Sequence, residues 1–201
     1  MIVLGIERSV ENRDKGVEIY YLDKADIFLQ NRSKMVLEIC SGSLQSAINA
    51  QAGGADRVEL CCNLEQGGLT PSPATIQLAR AKLRIDIFVL IRPRIGDFNY
   101  SETALEQMYA DIEFCKKVGV DGVVFGVLNE QSEVAIAKNK YLLKAAEGLQ
   151  TTFHRAFDCL DDPLQGLAEV INLGFDRILT SGLASTAIKG QDLIKTLIGQ
   201  A

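Results

Sequence analysis

Two short apolar runs carry the side chains best suited to chemistry. In residues 36–40 Glu38 and Cys40 stand two apart, and in residues 57–61 Glu59 and Cys61 repeat that spacing. Alternate residues of a strand share a face, so each run offers a carboxylate and a thiol on the same side. Thiolates are soft ligands that select Cu(I), and two of them at the ends of neighbouring strands can converge on one ion. A further set leaves its strands at the C-terminal end: Arg92 and Arg94 in residues 91–100, and His154 in residues 151–158. Carboxylate, guanidinium and imidazole on one rim can bind a small anion and move a proton. His154 is the only histidine, and an ordinary imidazole pKa of about 6.5 suits that work. The plainer alternative makes Glu38 and Glu59 part of a buried ionic layer paired by the arginines, with the cysteines packed as small hydrophobes. Cys62 points to the opposite face from Cys61, and Cys115 and Cys159 read as structural.

The elements that must position these groups alternate along the chain. Strands are predicted at 36–40, 57–61, 87–91, 122–125, 151–154 and 177–180, with helices near 43–52, 73–82, 102–118, 133–147, 163–173 and 187–198. The unit 36–61 is strand, helix, strand, which makes its two strands parallel and lets them be neighbours roughly 4.8 Å apart. Both cysteines then lie at the C-terminal strand ends, where α/β folds place their sites. Pro73 and Pro163 suit the first turn of a helix, with Ser72 and Asp162 as caps. An internal repeat supports the pattern. Gly54-Ala-Asp56, Gly119-Val-Asp121 and Gly174-Phe-Asp176 each join a helix end to a strand, glycine closing the helix and aspartate fitting the turn. The loops 67–72 and 180–182 follow strands and approach helix starts, where backbone N–H groups can hold an anion or simply make turns.

The whole chain narrows the function classes. Its 201 residues, 47% apolar, can bury one sizeable core. With 21 basic against 26 acidic side chains and no cluster of Lys or Arg, nucleic acid is not an expected partner. The apolar run at 1–6 is followed at once by Glu7 and Arg8, too short for a secretory core or a membrane span. No membrane partner and a cytoplasmic location are therefore expected, and five cysteines, an odd number, point to reduced thiols.

The runs Val58-Glu59-Leu60-Cys61, Gly67-Gly68-Leu69-Thr70-Pro71-Ser72, Ile91-Arg92-Pro93-Arg94, Thr152-Phe153-His154-Arg155 and Leu179-Thr180-Ser181-Gly182 closely resemble the CutC family, often called copper homeostasis proteins. The resemblance covers the chain from about residue 35. It implies a TIM-barrel-like fold, a cytoplasmic location and a role in copper handling, with Cys40 and Cys61 at the positions of the family's copper-ligand candidates. Where family members read Gly-Gly-Asp-Phe, this chain has Ile95-Gly96-Asp97-Phe98. Family members also continue past a seventh strand.

The expected fold is thus an α/β, TIM-barrel-like parallel barrel, incomplete, with about six of eight βα units over 35–201. Residues 1–34 are expected to be an N-terminal extension holding a β-hairpin of strands 2–6 and 17–22. Six strands leave two unpaired edges, so that hairpin or a second copy, giving a homo-oligomer, is expected to cover them. The first functional expectation is a Cu(I)-binding copper homeostasis protein using Cys40 and Cys61. The alternative is a lyase or isomerase of a small anionic metabolite using Glu38, Glu59, Arg92 and His154.

Overall fold

A computed structural model of the protein describes residues 36–201 together with residues 6–7 and 18–19. The last four form a two-residue antiparallel ladder, β1 (Ile6–Glu7) with β2 (Glu18–Ile19), in which the backbone of Ile6 pairs with that of Ile19. The rest of the expected hairpin lies outside the described residues. From there strands and helices alternate: β3 (Glu38–Ser41), α1 (Leu44–Ala52), β4 (Arg57–Leu60), α2 (Pro73–Lys82), β5 (Asp86–Leu90) and α3 (Glu102–Val118) come first. They are followed by β6 (Gly122–Phe125), α4 (Ile136–Ala145), β7 (Gln150–Phe153), α5 (Pro163–Leu173), β8 (Arg177–Ile178) and α6 (Gln191–Ile198). The six strands β3 to β8 pair in chain order and all in parallel. They form a curled half-barrel with helices between the strands, a partial TIM-barrel-like α/β fold. Backbone of β1 runs within 8 Å of β8, beside that open edge.

Strand alternation sorts the sheet residues onto two faces. Val58, Leu60, Ile87, Val89, Ile91, Val123 and Phe125 pack with Ala47, Ile76, Met108, Ile112 and Leu142 into the main core between sheet and helices. Each large side chain buried there contributes on the order of 1.5–3 kcal/mol. The opposite face holds a small separate apolar cluster, Cys61, Phe88, Leu90 and Val124, which fills the barrel interior. Gly122 makes room for it, since a Cβ there would stand 2.7 Å from the Phe88 ring. Ser72 and Asp162 cap α2 and α5 as the sequence predicts, each followed by proline in the first turn. Strand β8 is shorter than predicted because the chain turns at 179–183 to meet Asp158.

The repeated aspartates do more than fit a turn. Asp56 Oδ2 accepts from the Leu37 N–H over 3.0 Å, Asp121 Oδ2 from the Ile87 N–H over 2.8 Å, and Asp176 Oδ2 from the Thr151 N–H over 2.7 Å. Each carboxylate therefore ties the entry of one strand to the start of the strand before it, fixing the register of the pairs β3–β4, β5–β6 and β7–β8. Thr151 is nearly fully buried and its hydroxyl also donates to Asp176 over 3.0 Å. Removing that carboxylate strands two buried donors, at about 1–3 kcal/mol. Asp176→Ala is expected to lose that much in urea unfolding, while Asp176→Asn, which keeps an acceptor oxygen, recovers at least half of it. Equal losses in the two variants would show that the tie to Thr151 is not what the aspartate supplies.

Candidate functional site

The inward row begins with an ionic layer at the N-terminal ends of the strands. Register sets Glu38 opposite Arg57 and Arg57 opposite Asp86. Glu38 Oε2 lies 3.2 Å from Arg57 Nη1, and Asp86 Oδ2 lies 3.7 Å from Nη2. Arg57 and Arg177 both stand over the Phe88 ring, with Cζ 4.3 and 4.7 Å from its centroid, and Arg177 also hydrogen-bonds Gln150. Glu38 is thus inward-facing as alternation predicts. It sits at the opposite end from the expected C-terminal rim, however, because β3 starts at Glu38 rather than ending near it. Its partner is Arg57, not a rim arginine.

One pleat higher, Cys40 is opposite Glu59, and the Cys40 thiol donates to Glu59 Oε1 over 3.2 Å. Glu59 is 5% exposed. Burial first, then the neighbouring Cys40 and Glu38, push its carboxyl well above the usual range. Cys61 lies just past the end of β4, 1% exposed, its Sγ 3.7 Å from the Ser41 carbonyl oxygen. The neighbouring Cys61 thiol raises Cys40, as does burial, and Cys40 in turn lowers Cys61 against its own burial. Cys61 is therefore the first of the pair to ionise. Among the described residues, no group of three or more His, Cys, Asp or Glu side chains is arranged to hold a metal ion. Any ion here would rest on the two sulfurs. Cys62 turns away and donates to the Thr70 carbonyl over 3.2 Å. Cys115 is buried on α3, its thiol pushed up to about 12 by burial, and Cys159 is exposed.

The C-terminal rim holds Arg92 and His154. Arg92 gives Nη1 to the carbonyls of Gln66 and Gly68, at 3.2 and 3.0 Å, and Nη2 to that of Gly96 at 3.0 Å. The 67–68 loop thus presents carbonyls to a guanidinium; its amides are used internally, Gly67 N–H on Leu64 and Gly68 N–H on Asn63. The loop after β5 needs a left-handed residue at Gly96 alone (φ +95°), so Ile95 in place of a glycine leaves its course intact. His154 is 4% exposed. Burial, with the Arg92 charge second, lowers its pKa to about 3. The expected titration near neutrality therefore does not occur, and the imidazole is neutral. Its Nδ1 accepts from the Ala156 N–H over 3.3 Å.

Asp158, which sequence reasoning did not single out, organises the other rim loop. It accepts from the Thr180 hydroxyl at 2.5 Å, the Ser181 N–H at 3.0 Å, the Leu183 N–H at 3.2 Å and Arg155 Nε at 2.7 Å. These bonds outweigh burial and hold the carboxyl below its ordinary pKa. The 180–182 loop does bind a carboxylate, but it is the chain's own. The signal was present in Asp158 four residues past His154, without any pattern to tie it to Thr180.

Fold and interior together define a TIM-barrel-like α/β protein with thiols, carboxylates and guanidinium groups facing inward. A solved aldolase shares the fold at TM-score 0.59 and 14% identity over 84% of this chain and 76% of its own. The particular family is also clear: residues 35–201 match the model of the CutC family, and the chain belongs to it. A human copper homeostasis protein cutC homolog is 47% identical over 166 residues, 83% of this chain and 61% of the human protein. A CutC family protein of Parabacteroides distasonis is 48% identical over 169 residues, 84% of this chain and 70% of that protein. A CutC crystal structure from Streptococcus agalactiae superposes at TM-score 0.79 with 34% identity, covering 83% of each chain. This chain thus spans 61% of the human relative's length. No helix among the described residues is long and apolar enough to cross a membrane.

The buried neutral His154 gives stability a defined pH dependence. Its folded pKa of about 3 lies below the ordinary value, so below about pH 6.5 the unfolded chain takes up a proton that the folded chain refuses. Its contribution is complete above that pH and is lost as pH falls toward 3, by up to roughly 1.4 kcal/mol per unit. Urea unfolding at pH 7, 6 and 5 should show this slope, and His154→Gln should flatten it by that amount. The same slope in both proteins would contradict the buried imidazole.

Proposed function

We propose that the protein handles copper by holding Cu(I) as cargo between the thiolates of Cys40 and Cys61. The observation that carries this reading is the placing of the two thiols at the ends of adjacent parallel strands, near enough that each shifts the other's ionisation. The donor set fits the ion: Cu(I) is soft, takes thiolate ligands, and accepts two of them without a third. Binding releases the thiol protons, and Cys61, the more acidic of the pair, supplies the first thiolate. All five cysteines are free, which suits a reducing, cytoplasmic setting. Family membership supports copper homeostasis as the role.

A second reading is a lyase or isomerase of a small anionic metabolite. What supports it is the pairing of Glu59, whose carboxyl is raised well above its usual range, with His154, an imidazole kept neutral, a proton donor and an uncharged hydrogen-bond donor set by environment. Glu38 is spent on Arg57 and drops out of that set. Arg92 enters it through the two N–H groups left over from its loop carbonyls, Nε–H among them.

Anaerobic titration of reduced protein with Cu(I), followed by thiolate-to-copper absorption in the ultraviolet, tests the first reading. One equivalent per chain is expected. Cys40→Ser and Cys61→Ser should each weaken binding at least tenfold, about 1.4 kcal/mol, whereas Cys62→Ser and Cys115→Ser leave it unchanged. A Cys40→Ser/Cys61→Ser double variant that still binds like the parent would overturn it.

A further inference from the structure

The rim between β5 and β7 carries a feature that the copper reading leaves unused. Arg92, 7% exposed, has no carboxylate within 4 Å among the described residues, and its charge is met only by backbone carbonyls. Its Nε–H is buried without a hydrogen-bond partner, and so are the Tyr100 hydroxyl and His154 Nε2. All three side chains are at least nine-tenths buried. His154 Nδ1 is already an acceptor, so the neutral ring carries its proton on Nε2, which makes that atom a donor. The three groups belong to one place. The Phe98 ring stands 4.8 Å from the His154 ring and 5.1 Å from Arg92 Cζ, and the Arg92 charge is felt at both His154 and Tyr100. Glycine in the intervening strand extension allows the arrangement, since a Cβ on Gly126 would come within 2.9 Å of His154 Nδ1.

Three buried donors with no acceptor, around one guanidinium with no counter-charge, are costly to leave as they are. A water can accept but brings no charge. An anionic acceptor satisfies both requirements. We propose that this rim is a binding site for a small oxyanion, the carboxylate or phosphate group of a metabolite, which accepts from Arg92 Nε–H, Tyr100 O–H and His154 Nε2–H. The site needs neither cysteine and stands apart from the copper reading. It deepens the lyase or isomerase reading by naming the substrate group and adding Tyr100 to the residues that hold it.

The lone histidine makes the test direct, because His154 is the only source of imidazole signals. Nuclear magnetic resonance of the imidazole is followed while succinate or inorganic phosphate is added, against sodium chloride at equal ionic strength. A saturable shift of the His154 signals with at least one oxyanion, and none with chloride, is expected; the responsive probe tells carboxylate from phosphate. Tyr100→Phe removes one buried oxygen without disturbing the loop and should weaken binding at least fivefold, and Arg92→Lys should weaken it more. Cys115→Ser, on α3, should bind as the parent does. No saturable shift with either oxyanion, or unchanged affinity in Tyr100→Phe, would overturn the site and the enzyme reading with it. Binding without turnover of any tested carboxylate or phosphate would sink the enzyme reading alone.

Discussion

The arrangement depends on strand register, and register here is held by aspartate carboxylates accepting strand-entry amides. A one-residue slip in any parallel pair would turn every inward side chain outward. Asp56, Asp121 and Asp176 prevent this at alternate strand pairs, and the helix-ending glycine that precedes each sets the angle at which the chain arrives. With register secured, alternation alone places Cys40, Glu59, Phe88 and Val124 inside and Ile39, Val58, Ile87 and Val123 outside. The chemistry of the interior is thus a consequence of three carboxylate-to-amide hydrogen bonds at the far end of the strands.

The interior is layered by charge along the strand direction. At the N-terminal ends, Glu38, Arg57 and Asp86 form an ion-paired floor in contact with the Phe88 ring. The middle holds two thiols and a carboxyl that burial pushes toward its neutral form. The upper rim has a guanidinium bound to carbonyls and a neutral imidazole. Desolvation drives the sequence of states: each group that lacks an opposite charge adopts its neutral form, except Arg92, which cannot. That exception marks the rim as the one level where the protein's own groups leave the charge unbalanced.

Much of this was legible in the sequence. Alternating strand and helix patterns, supported by the glycine and aspartate repeat at three of the joins, revealed six βα steps, and period-two spacing identified Glu38, Cys40, Glu59 and Cys61 as inward. Arg57 was legible too, being two residues before Glu59 on the same face, yet its pairing with Glu38 required the parallel register as well as the period. What could not be read was environment. The ordinary pKa of His154 gave no warning that Phe98, Phe153 and Arg92 surround it. Likewise, Arg92 looked like an open anion ligand because nothing local announces that residues 66, 68 and 96 fold back to meet it. Long-range loop contacts leave no periodic trace in the chain.

The carbonyl of Gly68 that Arg92 holds belongs to a residue with a second contact. Gly68 roofs Cys61: a Cβ built on it would stand 3.7 Å from the sulfur and 2.6 Å from Leu90 Cδ2. The loop that covers this sulfur on the rim side is the same one whose carbonyls the guanidinium holds. Arg92 therefore braces the cover of the buried sulfur, and the two levels of the interior share one loop.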